Sequence, residues 1–303
     1  MATLPRRFAG SASARWSPIS ATVALLVALG AIAHATWNLT LKRVGQAPSA
    51  LLWLTFVVGA IAFAPMGIAS LATAQFEWWW VAFATVCGIF EVAYFLLLQR
   101  GYRVGDVSLV YPIARGTGPM LSVVGAVVLL GETPSSLALL GVVVIIAGIA
   151  VIGLAGSRGP TKPGAKSIVY GLAVGVLIAS FTVWDGWSVG TLDLPPVGYY
   201  WIALVAQAVL FIPSAFPKDV SLKDTIRRYP VPILTIGVLG PASYILALTA
   251  IQLSSVSLVA PAREISVVLV ALGGGLLFRE PHMGQRLIGS AIVLSGVALL
   301  AIG

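Results

Sequence analysis

Five ionisable side chains lie deep inside apolar stretches of this sequence: Glu91, Arg115, Asp185, Arg263 and Glu264. A charge held in hydrocarbon is costly and marks a functional or pairing position. Three carboxylates against two guanidiniums sum to minus one, so the group can partly neutralise itself without a ligand. Arg115 can hold a substrate carboxylate in a two-pronged pair, or be locked to Glu91, Asp185 or Glu264 as a register device. Arg263 has Glu264 as its chain neighbour, which favours the structural role there. A carboxyl balanced between burial and a nearby guanidinium can load and release a proton, so Glu91, Asp185 and Glu264 are candidates for proton coupling, with a static ion pair as the alternative.

His34, Trp37, Asn38 and Leu41 recur at i, i+3, i+4 and i+7, one face of a helix. That face offers hydrogen bonding beside an aromatic wall, or serves helix packing. Trp184 and Asp185 would supply the matching face of a later helix, Tyr94 and Tyr111 add hydroxyls near the same depth, and Tyr244 falls opposite Phe95 in an internal repeat. The candidate binding residues are therefore His34, Trp37, Asn38, Tyr94, Tyr111, Arg115, Trp184 and Tyr244. No metal centre or other cofactor is expected. The only second histidine, His282, falls in a loop, and the single cysteine, Cys87, reads as a small core residue. Trp78-Trp79-Trp80 and Tyr199-Tyr200-Trp201 read as interfacial aromatic belts.

The elements that must carry these residues are membrane helices. Of the 303 residues 59% are hydrophobic and 9% charged, with mean hydropathy +1.00, whereas a soluble domain carries roughly 25% charged residues. About 20 apolar residues are needed per crossing, which leaves room for ten crossings and no sizeable soluble domain. Runs bounded by charge, Pro and Gly predict an all-α membrane protein with helices near 18–41, 48–70, 78–99, 107–130, 135–155, 167–190, 196–216, 230–251, 256–278 and 284–302. The stretch from Tyr229 to Ala262 holds no charge and is too long for one crossing, so a turn is expected at Leu253-Ser254-Ser255. The run from Trp16 is longer than a signal-peptide core and reads as a retained first helix. Pro112, Pro119, Pro241 and Pro261 remove backbone bonds inside helices and predict gating or static bends.

An internal repeat organises the chain. Val107-Ser108-Leu109-Val110-Tyr111-Pro112 returns as Val256-Ser257-Leu258-Val259-Ala260-Pro261 at a spacing of 149 that reaches back to Gly88 and Gly237. After a one-residue deletion the spacing is 148, and Arg115, Gly125, Glu132, Gly141 and Gly148 match Arg263, Gly273, Glu280, Gly289 and Gly296. Trp37-Asn38 pairs with Trp184-Asp185. Chance similarity among apolar helices would not repeat Arg, Glu, Pro and Gly. The expected layout is a tail over 1–17, a five-helix copy over 18–156, a linker over 157–166 and a second copy over 167–303. Five being odd, the copies would enter the membrane from opposite sides, with a site between them near mid-depth. Glu132 and Glu280 close equivalent helices ahead of Pro134 and Pro281 and read as turn devices.

These residues resemble the drug/metabolite transporter superfamily, in its EamA-type ten-helix branch. The resemblance rests on His34-Ala35-Thr36-Trp37-Asn38 with Lys42, on Pro112-Ile113-Ala114-Arg115-Gly116-Thr117-Gly118-Pro119, on Leu130-Gly131-Glu132, and on Pro261-Ala262-Arg263 with Arg279-Glu280. It implies alternating-access transport of a small metabolite, an amino acid or an amphiphilic compound, often outward. It also implies a multi-pass protein of the cell's inner membrane. The expected partners are a small-molecule substrate, membrane lipids and possible coupling protons, with no nucleic acid, in a monomer or homodimer. A membrane enzyme or flippase for a lipid-linked substrate is the competing class, but no nucleophile, base or phosphate-handling cluster supports it. Exporter-type relatives imply cytoplasmic termini. The charges favour the reverse: Arg6, Arg7 and Arg15 flank the N-terminal side, against thirteen cations opposite, namely Lys42, Arg43, Arg100, Arg103, Arg158, Lys162, Lys166, Lys218, Lys223, Arg227, Arg228, Arg279 and Arg286.

Overall fold

The computed structural model describes residues 19–45, 47–104, 107–156, 165–216, 221–278 and 282–303, and no strand occurs among them. In chain order the helices of the first copy are α1 (Ala21–Val44), α2 (Ser49–Ala62), α3 (Ala64–Thr73), α4 (Trp79–Val104), α5 (Val107–Leu129) and α6 (Ser136–Gly156). The second copy has α7 (Ala165–Asp185) with a π-helical turn (Gly186–Thr191), α8 (Pro196–Leu210), α9 (Ile212–Ala215), α10 (Leu222–Arg228), α11 (Pro230–Leu253), α12 (Val256–Ala262), α13 (Ile265–Phe278) and α14 (Met283–Ile302). Among the described residues seven helical stretches are long and apolar enough to cross a membrane, and α2 with α3 makes an eighth, bent by 50°. Ile113–Leu129 and Pro196–Leu210 are shorter apolar helices. The cations Arg6, Arg7, Arg15, Arg158, Lys162, Lys218 and Arg279, together with Glu280 and Pro281, lie outside the described residues.

Three expected single helices are interrupted. Phe63 separates α2 from α3 with Pro65 in the first turn beyond it, and Phe211 separates α8 from α9 with Pro213 in the same place. Proline lacks an amide donor and collides with the carbonyl four residues back, which bends or breaks the helix before it. Phe63 and Phe211 stand 148 apart, as do the prolines, so one cause acts in both copies. The third interruption, at Arg263 and Glu264, divides α12 from α13. The expected turn after Leu253 is present, with Ser254 extended at φ −152° and ψ −173°. α5 stays one helix through Pro112 and Pro119, and α11 through Pro241.

Large apolar side chains cover the outside and several polar ones are sequestered in an otherwise apolar interior, unlike a water-soluble domain. Leu129 and Leu276 are each 73% exposed, whereas Asp185 is 0% and Gln207 1% exposed. Lipid gives helices no hydrophobic reason to associate, so close backbone approach and internal hydrogen bonds must hold them.

Those contacts obey an exchange rule. α1 packs on α11 as α7 packs on α4, and α2 packs on α11 as α8 packs on α4. α5 with α6 matches α13 with α14, while α6 with α14 maps onto itself. In that last pair a Cβ on Gly141 would stand 2.7 Å from the Gly296 carbonyl oxygen, and one on Gly148 2.8 Å from that of Gly289. The low number of one helix meets the high number of the other, so the equivalent fifth helices run antiparallel and the copies are inverted. Two indoles repeat the point: Trp53 Nε1 donates to the Ala208 carbonyl at 2.8 Å, and Trp201 Nε1 to the Ala60 carbonyl at 2.9 Å. Both donors and both acceptors are 148 apart.

Candidate functional site

A cavity of about 140 Å³ lies between the two copies, with walls from α1, α2, α4 and α5 of the first and α7, α8, α11 and the α12–α13 junction of the second. Its sides are aromatic and aliphatic, including Trp37, Phe56, Phe95 and Phe181, and its charged residues fall into two clusters.

The first cluster is centred on Arg115. Its Nη1 lies 3.7 Å from Glu264 Oε1 and its Nη2 3.0 Å from His34 Nε2. A guanidinium only donates, so His34 Nε2 accepts and the ring proton resides on Nδ1. The same guanidinium lies over the Tyr111 ring, 5.5 Å from its centre. The second oxygen of Glu264 is buried without a hydrogen-bond partner, and so is Trp37 Nε1. Unmade bonds of buried polar atoms are expensive, and here both belong to residues that line the cavity.

The second cluster binds two carboxylates to tyrosines. Glu91 Oε2 accepts from Tyr200 Oη at 3.1 Å and from Gln207 Nε2 at 2.6 Å. Asp185 Oδ1 accepts from Tyr199 Oη at 2.6 Å, and its Oδ2 accepts from Tyr244 Oη. The Tyr200 and Tyr244 rings stack with centres 4.5 Å apart, joining the two sets of bonds. Arg263 reaches over the Tyr244 ring, 5.1 Å from its centre.

His34, Trp37, Tyr94, Arg115, Tyr244, Glu91, Arg263 and Glu264 all line this cavity. Four other candidates stand elsewhere. Asn38 donates to the His34 carbonyl in its own helix at 2.8 Å, and Tyr111 acts from beneath Arg115. Asp185 is walled off behind the tyrosines. Trp184 donates to the Phe83 carbonyl at 2.9 Å and stacks on Phe83, in a separate apolar groove with Phe90, Gly125 and Trp187. Arg263 and Glu264, chain neighbours, go to different partners: the ion pair of Glu264 is with Arg115.

Three participants were misread or missed in the sequence. Tyr199 and Tyr200 are buried ligands of carboxylates and Trp201 is a packing residue, so the three form no belt. Gln207 lies seven residues after Tyr200, on the same helix face. A carboxamide in an apolar run requires a buried partner, which was the available signal. The tryptophan belt is also partial: Trp78 is 84% exposed, but Trp80 is buried.

The comparisons with known proteins follow the same division of the chain. A solved structure described only as the crystal structure of a protein superimposes with TM-score 0.73 over 94% of this chain and 98% of its own, at 19% identity, and so shares the fold. No curated protein matches the sequence. The model of the EamA-like transporter family matches twice, over residues 21–154 and over residues 165–302. Its two matches fall on the two copies that the exchange rule relates, and the chain is a multi-pass membrane transporter belonging to the EamA-like transporter family.

Proposed function

We propose that this protein is a ten-span carrier of the inner membrane that exports a small amphiphilic metabolite, an amino acid being the simplest fit, by alternating access. The spans are α1, α2–α3, α4, α5 and α6, then α7 with its π turn, α8–α9, α11, α12–α13 and α14. The observation that carries the reading is a cavity walled by both copies and lined by a guanidinium and by a carboxylate with one unpartnered oxygen. A substrate carboxylate entering there competes with Glu264 for Arg115, and a substrate ammonium finds Glu264 free to accept it. Trp37, Tyr94, Phe56 and Phe95 supply the apolar contact. Glu91 and Asp185, tied together by stacked tyrosines, are the groups able to carry a proton. The cavity is complete within one chain, so a monomer suffices.

Counter-flow of labelled amino acids in proteoliposomes tests the reading: a carrier accumulates label against an internal pool, and no accumulation with any amino acid or amphiphilic amine overturns it. Transport by everted vesicles that survives collapse of the pH gradient would remove the proton. For orientation we infer termini outside, from the cations gathered at the opposite end. A cytoplasm-only reporter that is active on Gly303 would reverse that.

A further inference from the structure

Glu132 follows α5 in the first copy, yet its carboxylate caps a helix of the second. Gly131 takes a left-handed φ of +71°, and the Glu132 amide donates to the Ala126 carbonyl at 3.1 Å. This closes α5 with a Schellman-type turn and fixes where the Glu132 side chain leaves the backbone. From there Oε1 accepts the Val256 amide at 2.7 Å and Oε2 accepts the Ser257 amide at 2.8 Å. These are the first two amides of α12, which no carbonyl of their own helix can reach. Ser255 occupies the N-cap and is of the type that caps a helix itself, yet its side chain does not do so. Its hydroxyl meets Ser257 Oγ at 3.4 Å instead.

α12 is seven residues long, and the two residues after it, Arg263 and Glu264, line the cavity. It therefore acts as a short rod, held by Glu132 at one end and presenting site charges at the other. Resting on the carrier reading for its role in transport, we propose that Glu132 is a positioning residue and an inter-copy latch. It pins α12 against α5 and keeps the cavity shut toward the end where α1 begins and α14 finishes. When the latch opens, the Ser255 hydroxyl takes over the Ser257 amide, the second of the helix, which lowers the cost of release. Glu280, its match by sequence, lies outside the described residues.

The test uses the full chain carrying Cys87→Ala and Leu26→Cys, a cavity position, in vesicles of both orientations. A membrane-impermeant maleimide reads access to that cysteine from each end. Glu132→Ala is expected to raise labelling from the latched end about tenfold and to lower it from the other, through loss of two charge-assisted bonds. Glu132→Gln, which keeps one acceptor, raises it about threefold, and Ser255→Ala with Glu132 intact, which removes the replacement cap of the open state, lowers it below the parent rate. Unchanged sidedness in Glu132→Ala, or an equal rise from both ends, overturns the latch. If Glu132→Ala does not reach the membrane, Glu132→Gln decides by the same readout. Labelling requires no substrate, so failed counter-flow sinks the carrier reading alone, and unchanged sidedness sinks the latch alone.

Discussion

α5 and the α12–α13 pair carry the same repeated motif, Val-Ser-Leu-Val followed by Pro and Arg, and they differ in length at one point. Two residues separate Pro112 from Arg115, but only Ala262 separates Pro261 from Arg263. The missing residue falls where the second helix breaks. There Glu264, Ser266 and Val267 each donate three residues back, to Pro261, Arg263 and Glu264, at 3.0, 3.0 and 2.9 Å. Such 3₁₀ winding turns about 20° more per residue than an α-helix, so it recovers part of the roughly 100° lost with one residue. The lesson is that the copies share a scaffold and not a chemistry. Arg115 remains on a regular helix and meets His34 and Glu264, while Arg263 is carried round to the face of Tyr244. Glu264 stands opposite Gly116 in the repeat, so the acid of the Arg115 pair comes only from the broken copy.

Four measurements break or sharpen that contrast. Arg115→Lys removes the forked donor and should cut transport about a hundredfold in protein that still elutes as one species. Arg263→Lys keeps a cation over Tyr244 and should cost less than about tenfold. Equal losses would erase the distinction. Inserting one alanine between Ala262 and Arg263 restores the spacing of the first copy and turns Glu264 by roughly 100°. Transport should then fall about tenfold, toward that of Glu264→Gln, and parental rates would show that the deletion is incidental. Asp185→Ala, which loses both tyrosine bonds, should lower unfolding stability in detergent by about 3 kcal/mol. At the matching site Asn38→Ala should cost under about 1 kcal/mol. The smallest effect belongs to the indole pair: Trp53→Phe and Trp201→Phe should each cost about 1 kcal/mol, and equally.

Much of the scaffold was legible before any coordinates. The turn after Leu253 follows from bilayer thickness, since a charge-free stretch of that length cannot cross once. The repeat was visible because Arg, Glu, Pro and Gly recur in positions that hydrophobicity does not dictate. The two bends at Phe63 and Phe211 were within reach, because Pro65 and Pro213 mark them. The site was legible by helix more than by side chain. Periodicity put His34 and Trp37 on one face, but could not foresee that Asn38 would bond its own backbone. Nor could it foresee that α7 would turn Trp184 into a different groove. Tyr199 and Tyr200 were obscured because an aromatic near the end of an apolar run serves equally as a belt residue or as a carboxylate ligand. The carbonyl acceptors of Trp53 and Trp201 carry no mark in sequence at all.

Those two indole bonds have a mechanical corollary. If the copies trade conformations to face the other way, a contact that maps onto itself under the trade can persist, and one that does not must be remade. The Trp53 and Trp201 bonds exchange places with each other, so under such a trade they would be two fixed pins about which the halves rock.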